Sequence, residues 1–442
     1  MTSKFTISKT KNYILSISII GALFFIFGFV TWLNGILIPY LQISCELNNF
    51  QAVFVAFSFY ISYTIMALPS SKILNKTGFK TGIMMGLLIM AVGTAIFIPA
   101  AISRTYVFFL SGLFVMGTGL ALLQTAVNPY ITILGRRETA AVRFSIMGIC
   151  NNLAGAIGPL ILAYYILDDG DAFVKSLKTM DDASRVMALD GLARRVIGPY
   201  IIMTLILFVL GVMVKYSPLP DVDKEPEEDA GIADASKTNI FQFPYLILGM
   251  IALFFYVGIE VIAGNTIFSY GIALGVAIES AKAYTTMVMV TMLIGYILGI
   301  ILIPKFVNYL TVLKASAILG IIFTLLAIVI PAKYGFTLPW LDIYLPLTVM
   351  FIALLGLSNS LIWPAIWPLA IHNLGKFIKT GSALMIMAIA GGAVLPLVWG
   401  WISDNWSAKN AYWIVVPSYL IILSYAFYGY KIKTWKRSRK SL

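Results

Sequence analysis

Apolar residues in this chain come in long unbroken runs, not in the alternation of a half-buried strand or the one-sided stripe of a surface helix. A helix needs roughly 20 apolar residues to cross hydrocarbon. Twelve such runs are found, at 13–41, 51–74, 81–101, 105–134, 141–167, 196–215, 244–275, 283–308, 312–331, 342–372, 380–403 and 411–431. The polar breaks between them are short, with two exceptions. Residues 168–195, DDGDAFVKSLKTMDDASRVMALDGLARR, mix charges with apolar residues at helical spacing and predict a surface helix. Residues 216–243, YSPLPDVDKEPEEDAGIADASKTNIFQF, are Pro-rich and acidic with few large apolar residues, the composition of a linker. The linker follows the sixth run. The pattern therefore predicts an all-α integral membrane protein of two six-helix bundles, 1–215 and 244–442, joined by a cytoplasmic linker at 216–243. The basic N-terminus leads into a run longer than the ~7–15 apolar residues of a signal peptide, so that run is read as a retained first span.

Composition agrees with this pattern. Hydrophobic residues make up 60% of the chain and charged residues 11%, with a mean hydropathy of +0.92; a soluble domain carries roughly 25% charged residues. The formal net charge is +12. With the N-terminus in the cytoplasm, the even-numbered loops with the span ends beside them and both tails hold 22 of the 31 Lys and Arg residues, among them Lys72, Lys76, Lys80, Arg136, Arg137, Lys376 and Lys379. That bias predicts both termini on the cytoplasmic side. It also accounts for the charge without nucleic acid, since no basic stretch interleaves with a soluble aromatic platform. Cys45 and Cys150 lie in no metal-binding spacing, and His372 is the one histidine. No phosphate loop, HExxH, GxSxG or carboxylate pair within a span is present, so no enzyme chemistry and no cofactor are expected.

Glu260, in YVGIEVIAGN, is the residue that most needs explaining. At helix centre a carboxylate costs about 2.5–3.5 kcal/mol on insertion scales. It is tolerated where it lines a wet cavity, pairs with a cation or holds a proton, and no Lys or Arg lies in its own span. Coupling to H+ or Na+, or hydrogen bonding to a polyhydroxylated ligand, gives it a use. The alternative is a residue that only ties helices together. Amides follow: Asn34, Gln124, Asn128, Asn151 and Asn359, with Asn152 and Asn265. Each offers donors and acceptors together, the pair that a sugar hydroxyl matches; each also serves as an interhelical hydrogen bond. WPAIWP sets Trp363 and Trp367 four residues apart, on one helix face, where they stack on a pyranose or simply pack. Its prolines, with Pro39 and Pro129, break helical ladders at depth, which is permitted where a cavity or a neighbour satisfies the freed carbonyls. Two six-helix halves joined by a polar linker are the plan of many secondary transporters, with the substrate near the midplane.

Several stretches carry a specific likeness. SKILNKTGFK resembles the cytoplasmic loop-two signature of the major facilitator superfamily, with Asn75 where an aspartate is usual. GFVTWLNGILIPYL, NNFQAVFVAFSFYISY, LALLQTAVNPYITILG, YVGIEV and GGAVLPLVWGWISD together resemble the L-fucose–proton symporter family, and within it the bacterial glucose/galactose transporter branch. The resemblance runs from about residue 13 to 430. It implies sugar uptake through a bacterial inner membrane by a protein for which one chain suffices. Fucose permeases carry an acidic residue in span one and another in span four; Gly35 and Gln124 stand there in this chain, while Glu260 replaces an amide. The resemblance thus implies a hexose but leaves the coupling ion open. A cation-coupled hexose symporter is expected, with Asn34, Gln124, Asn128, Asn151 and Asn359 for the hydroxyls, Trp363 and Trp367 for the ring, and Glu260 for coupling. A passive sugar uniporter and a drug/proton antiporter are the competing readings.

Overall fold

The computed structural model describes residues 2–47, 49–134, 139–166, 173, 176–177, 179–217, 237–276, 278–303, 305–338 and 343–435. Most of the linker, 218–236, and the end of the basic tail, 436–442, lie outside them. The chain is an all-α membrane protein with one small hairpin. Eleven helical stretches among the described residues are long and apolar enough to span a bilayer, and one of them, Phe54–Ser103, holds two. It is part of α3, Asn49–Ser103, which at 1.5 Å per residue would far exceed a hydrocarbon core of ~30 Å. The run turns at Gly78, whose φ of 76° and ψ of 173° only glycine adopts without strain. Twelve spans result.

Two compact units make up the fold: residues 1–127 with 150–223, and residues 128–149 with 224–442. The first contains α1 (Thr2–Trp32) and α2 (Asn34–Ser44), which form one span interrupted at Leu33, then α3 and most of α4 (Tyr106–Ile133) and α5 (Ala140–Ile166). The surface helix expected in 168–195 is present as α6, Asp182–Arg194. Asp181 caps it by accepting from the Ser184 amide at 3.4 Å, and bonding to Ser184 holds the Asp181 carboxyl below the usual carboxylate range. α6 is strapped down by Arg185 to Glu46 at 2.7 Å, Arg104 to Asp190 at 3.4 Å, and the Tyr40 hydroxyl donating to the Leu192 and Ala193 carbonyls at 2.9 Å. Span six, α7 (Ile197–Tyr216), leaves Ile202, Leu205, Phe208 and Met213 exposed, as a lipid-facing stripe should be.

In the second unit, span seven is α8 (Pro244–Ala273), buried along most of its length. Around it stand α9 (Ile278–Leu302), α10 (Tyr309–Val329), α11 (Leu347–Asn359), α12 (Ile362–Ala370), α13 (Ile378–Met387), α14 (Gly391–Asn405) and α15 (Val415–Phe427). Span ten is shorter at its start than the hydrophobic run. Residues 343–346 form strand β2, paired antiparallel with β1 (Gly335–Leu338) in the register Gly335↔Pro346, and the helix begins only at Leu347. The same span is divided into α11 and α12 at Ser360–Leu361. Pro364 lacks the N–H that would bond the Ser360 carbonyl, so the ladder fails one turn before it. Residues 128–149, counted with the first half in the sequence, pack with the second unit: Phe144 lies 6.1 Å from the Trp367 ring, and the Tyr296 ring covers Gly148.

Close helix contact without bulk holds the first unit together. At Gly28 the backbone of α1 meets the Asn151 carbonyl of α5 so tightly that a Cβ would collide with it. Overpacking of this kind costs typically about 1–3 kcal/mol. Gly28→Ala is therefore expected to lower the melting temperature of the purified protein. Gly198→Ala on α7, where a Cβ meets only open space, is expected to leave it unchanged or raise it slightly. Equal effects of the two substitutions would contradict the packing account.

Candidate functional site

Glu260 sits in the middle of α8, half-buried. Tyr256, one turn earlier on the same face, is fully buried and donates its hydroxyl to Glu260 Oε1 at 3.0 Å. No Lys or Arg pairs with Glu260 among the described residues. The Tyr256 ring lies 6.4 Å from that of Trp363, and Trp363 stacks on Trp367 with centroids 5.3 Å apart and planes at 17°. The two indoles therefore cover each other. Trp367 is fully buried and its Nε1 has no acceptor among the described residues, whereas Trp363 is half-buried.

Asn359 is the last residue of α11, just before the break in span ten. It is fully buried; its Oδ1 accepts from the Tyr419 hydroxyl at 2.7 Å, and its Nδ2 has no partner among the described residues. Tyr419, on α15, is also within electrostatic reach of Glu260. Glu260, Tyr256, Trp363 and Trp367 thus form one chain of contacts across spans seven and ten, and Asn359 and Tyr419 form a hydrogen-bonded pair across spans ten and twelve.

The remaining expected residues are placed differently. Asn151 is tied into its own unit: it accepts from Trp32 Nε1 at 3.4 Å and donates to the Phe24 carbonyl at 3.4 Å, so it links spans one and five. Gln124 is half-buried on α4. Asn128 is buried and falls in the 128–149 segment of the second unit. The Asn34 side chain lies outside the described residues. Tyr256 and Tyr419 are additions that reasoning from the sequence does not supply. Tyr256 has a local signal, four positions before Glu260 in YVGIEV. Tyr419 has none, because its partner is 60 residues away.

The chemistry available is recognition, not bond-making. The group offers one carboxylate, phenol hydroxyls, buried N–H donors and an indole face. Among the described residues no three His, Cys, Asp or Glu side chains converge.

Comparison with known proteins agrees with this chemistry. A family model described as Major Facilitator Superfamily matches residues 19–388. The glucose/galactose transporter of Brucella abortus biovar 1 (strain 9-941) is 32% identical over 428 residues, 96% of each chain. The L-fucose-proton symporter of Escherichia coli (strain K12) is 29% identical over 401 residues, 90% of this chain and 88% of the relative. Among solved structures, the crystal structure of a Major Facilitator Superfamily transporter, FucP, in the outward conformation matches with a TM-score of 0.77 at 26% identity, covering 94% of this chain and 98% of that one.

A hydrogen bond to a charged group contributes roughly 1.5–3 kcal/mol. Tyr256→Phe is expected to lower thermal stability on that scale. Glu260→Gln is expected to change stability less in the Tyr256→Phe background than alone, because the two side chains act as a pair. Strictly additive melting shifts in this double-mutant cycle would show that they do not.

Proposed function

The chain belongs to the Major Facilitator Superfamily, and on that premise we propose that it imports a hexose, glucose/galactose or a fucose-like sugar, by alternating access coupled to a cation. The observation that carries this reading is the mid-span carboxylate of Glu260, hydrogen-bonded to Tyr256 and set beside the Trp363 ring. A sugar presents hydroxyls around its edge and C–H groups on its faces. The carboxylate accepts from a hydroxyl, the buried N–H groups donate to another, and an indole packs against a C–H face. The names of the relatives, a glucose/galactose transporter and an L-fucose-proton symporter, support the substrate class.

Glu260 is the coupling residue in this proposal. Either it carries a proton in one half of the cycle, or it is a ligand of Na+. In both cases a cation cancels the charge that makes the carboxylate costly at depth, and the loaded and empty carrier differ in charge at that point. The amides Asn34, Gln124, Asn128, Asn151 and Asn359 are the candidates for hydroxyl contacts in this proposal. The protein acts as a monomer in a bacterial inner membrane with both termini in the cytoplasm; the placement of Lys and Arg supports that orientation. A passive uniporter is the second reading, favoured by Gly35 and Gln124, neutral residues where the resemblance leads one to look for acids.

Uptake of radiolabelled glucose and galactose into proteoliposomes, with inward proton and sodium gradients imposed separately, tests the proposal. Accumulation above equilibrium with one gradient is expected, and it names the ion. Glu260→Gln is expected to insert normally and to lose accumulation while still equilibrating sugar. Equilibration without accumulation by the unaltered protein would make it a uniporter. Accumulation by the variant at the unaltered level would remove Glu260 from coupling, and the absence of any sugar flux would reject the substrate class.

A further inference from the structure

An asparagine amide is ambident: turned one way it offers a carbonyl oxygen, turned the other an NH2 group. Asn359 is not free to choose. The Tyr419 hydroxyl donates to its Oδ1 at 2.7 Å, and both residues are fully buried. With the amide reversed, Nδ2 would donate to the Tyr419 oxygen and the phenol proton would need another buried acceptor, which is costly where none is in hydrogen-bond contact. Tyr419 is itself held in place from behind. Its ring lies against Gly320 on α10, so closely that a Cβ on that glycine would collide with it. Three spans thus fix one polarity: nine supplies the slot, twelve the phenol and ten the amide.

This leaves the Nδ2 group as a buried donor with no partner among the described residues. Trp367 Nε1, on the same span, is a second buried donor in the same condition. Glu260 has the opposite character. Its Oε1 is engaged by Tyr256, and Oε2 remains an acceptor.

We propose that Tyr419 is a positioning residue of the hexose site: it locks Asn359 as a pure hydrogen-bond donor, so that Asn359 recognises a sugar oxygen as an acceptor while Glu260 recognises a hydroxyl as a donor. This rests on the transport reading above and deepens it. The site then distinguishes hydroxyls by the direction of their hydrogen bond as well as by position.

Monodeoxy and monodeoxyfluoro derivatives of glucose and galactose make the test. Fluorine still accepts weakly, but it cannot donate. Each derivative competes against labelled parent sugar in proteoliposomes. At one ring position the unaltered protein is expected to prefer the fluoro over the deoxy derivative by about fivefold, the scale of one neutral hydrogen bond. Tyr419→Phe is expected to erase that preference at that position alone. Gly320→Ala, which acts by displacing the Tyr419 ring, is expected to do the same and carries the test should Tyr419→Phe fail to insert. In an Asn359→Ala background, which lacks the preference from the start, Tyr419→Phe is expected to add nothing. Retention of the preference in both Tyr419→Phe and Gly320→Ala would overturn the proposal. So would a uniform loss of affinity at every ring position, the mark of a merely structural role. No competition by any hexose in the unaltered protein would sink the transport reading and this inference with it. Sugar transport with position-blind variants would sink this inference alone.

Discussion

Within hydrocarbon there is no water to take up a backbone N–H or C=O, and nearly every feature of this chain follows from that. Helices satisfy their own backbones, so the spans are helices and their lipid faces carry residues such as Ile202, Leu205 and Phe208 without penalty. Irregular backbone is then confined to protein-covered positions. The clearest case is the break between α11 and α12, where Pro364 leaves the Ser360 carbonyl without its helical donor and where Ser360 and Leu361 are buried. Asn359 is delivered at the edge of that break. The interruption that weakens span ten as a rod is also what ends the helix at the amide.

The same constraint makes each polar side chain at depth expensive and therefore informative. Glu260 is met by Tyr256, and the Asn359 carbonyl by Tyr419. The buried side-chain atoms of the group left without a partner among the described residues, Asn359 Nδ2 and Trp367 Nε1, are both donors, and Glu260 Oε2 is an acceptor. Elsewhere polar side chains are used for cohesion. Thr94 meets Thr204 at 2.8 Å, and Asn151 joins Trp32 to the Phe24 carbonyl.

Much of this is legible in the residues alone. Span number follows from apolar run length, because hydrocarbon thickness imposes a length on each helix. The surface helix α6 is legible from charges at helical spacing. Glu260 stands out because a lone carboxylate in such a run is rare. What stays hidden depends on contacts between distant segments. Their spacing puts Trp363 and Trp367 on one face, but periodicity does not say that they stack on each other and leave Trp367 covered. Tyr419 in PSYLIIL looks like any interfacial tyrosine until α15 is laid beside α11. Residues 343–346 look like the start of a span, and only pairing with 335–338 makes them a strand. The attachment of 128–149 to the second unit is likewise invisible in chain order, since it rests on Phe144 and Gly148 meeting aromatic rings far along the sequence.

The segments that flank spans seven to twelve also meet. Trp435 Nε1 donates to the Phe241 carbonyl at 2.7 Å, and Lys237 Nζ donates to the Lys433 carbonyl at 2.9 Å while its ammonium lies 4.2 Å from the Phe243 ring. Chain ends that meet in this way are what circular permutation and domain insertion exploit. The bundle is, in effect, a closed loop fastened at one point on its rim. A cut in a peripheral turn and a short peptide bridge from residue 435 to 237 would preserve every span in its place.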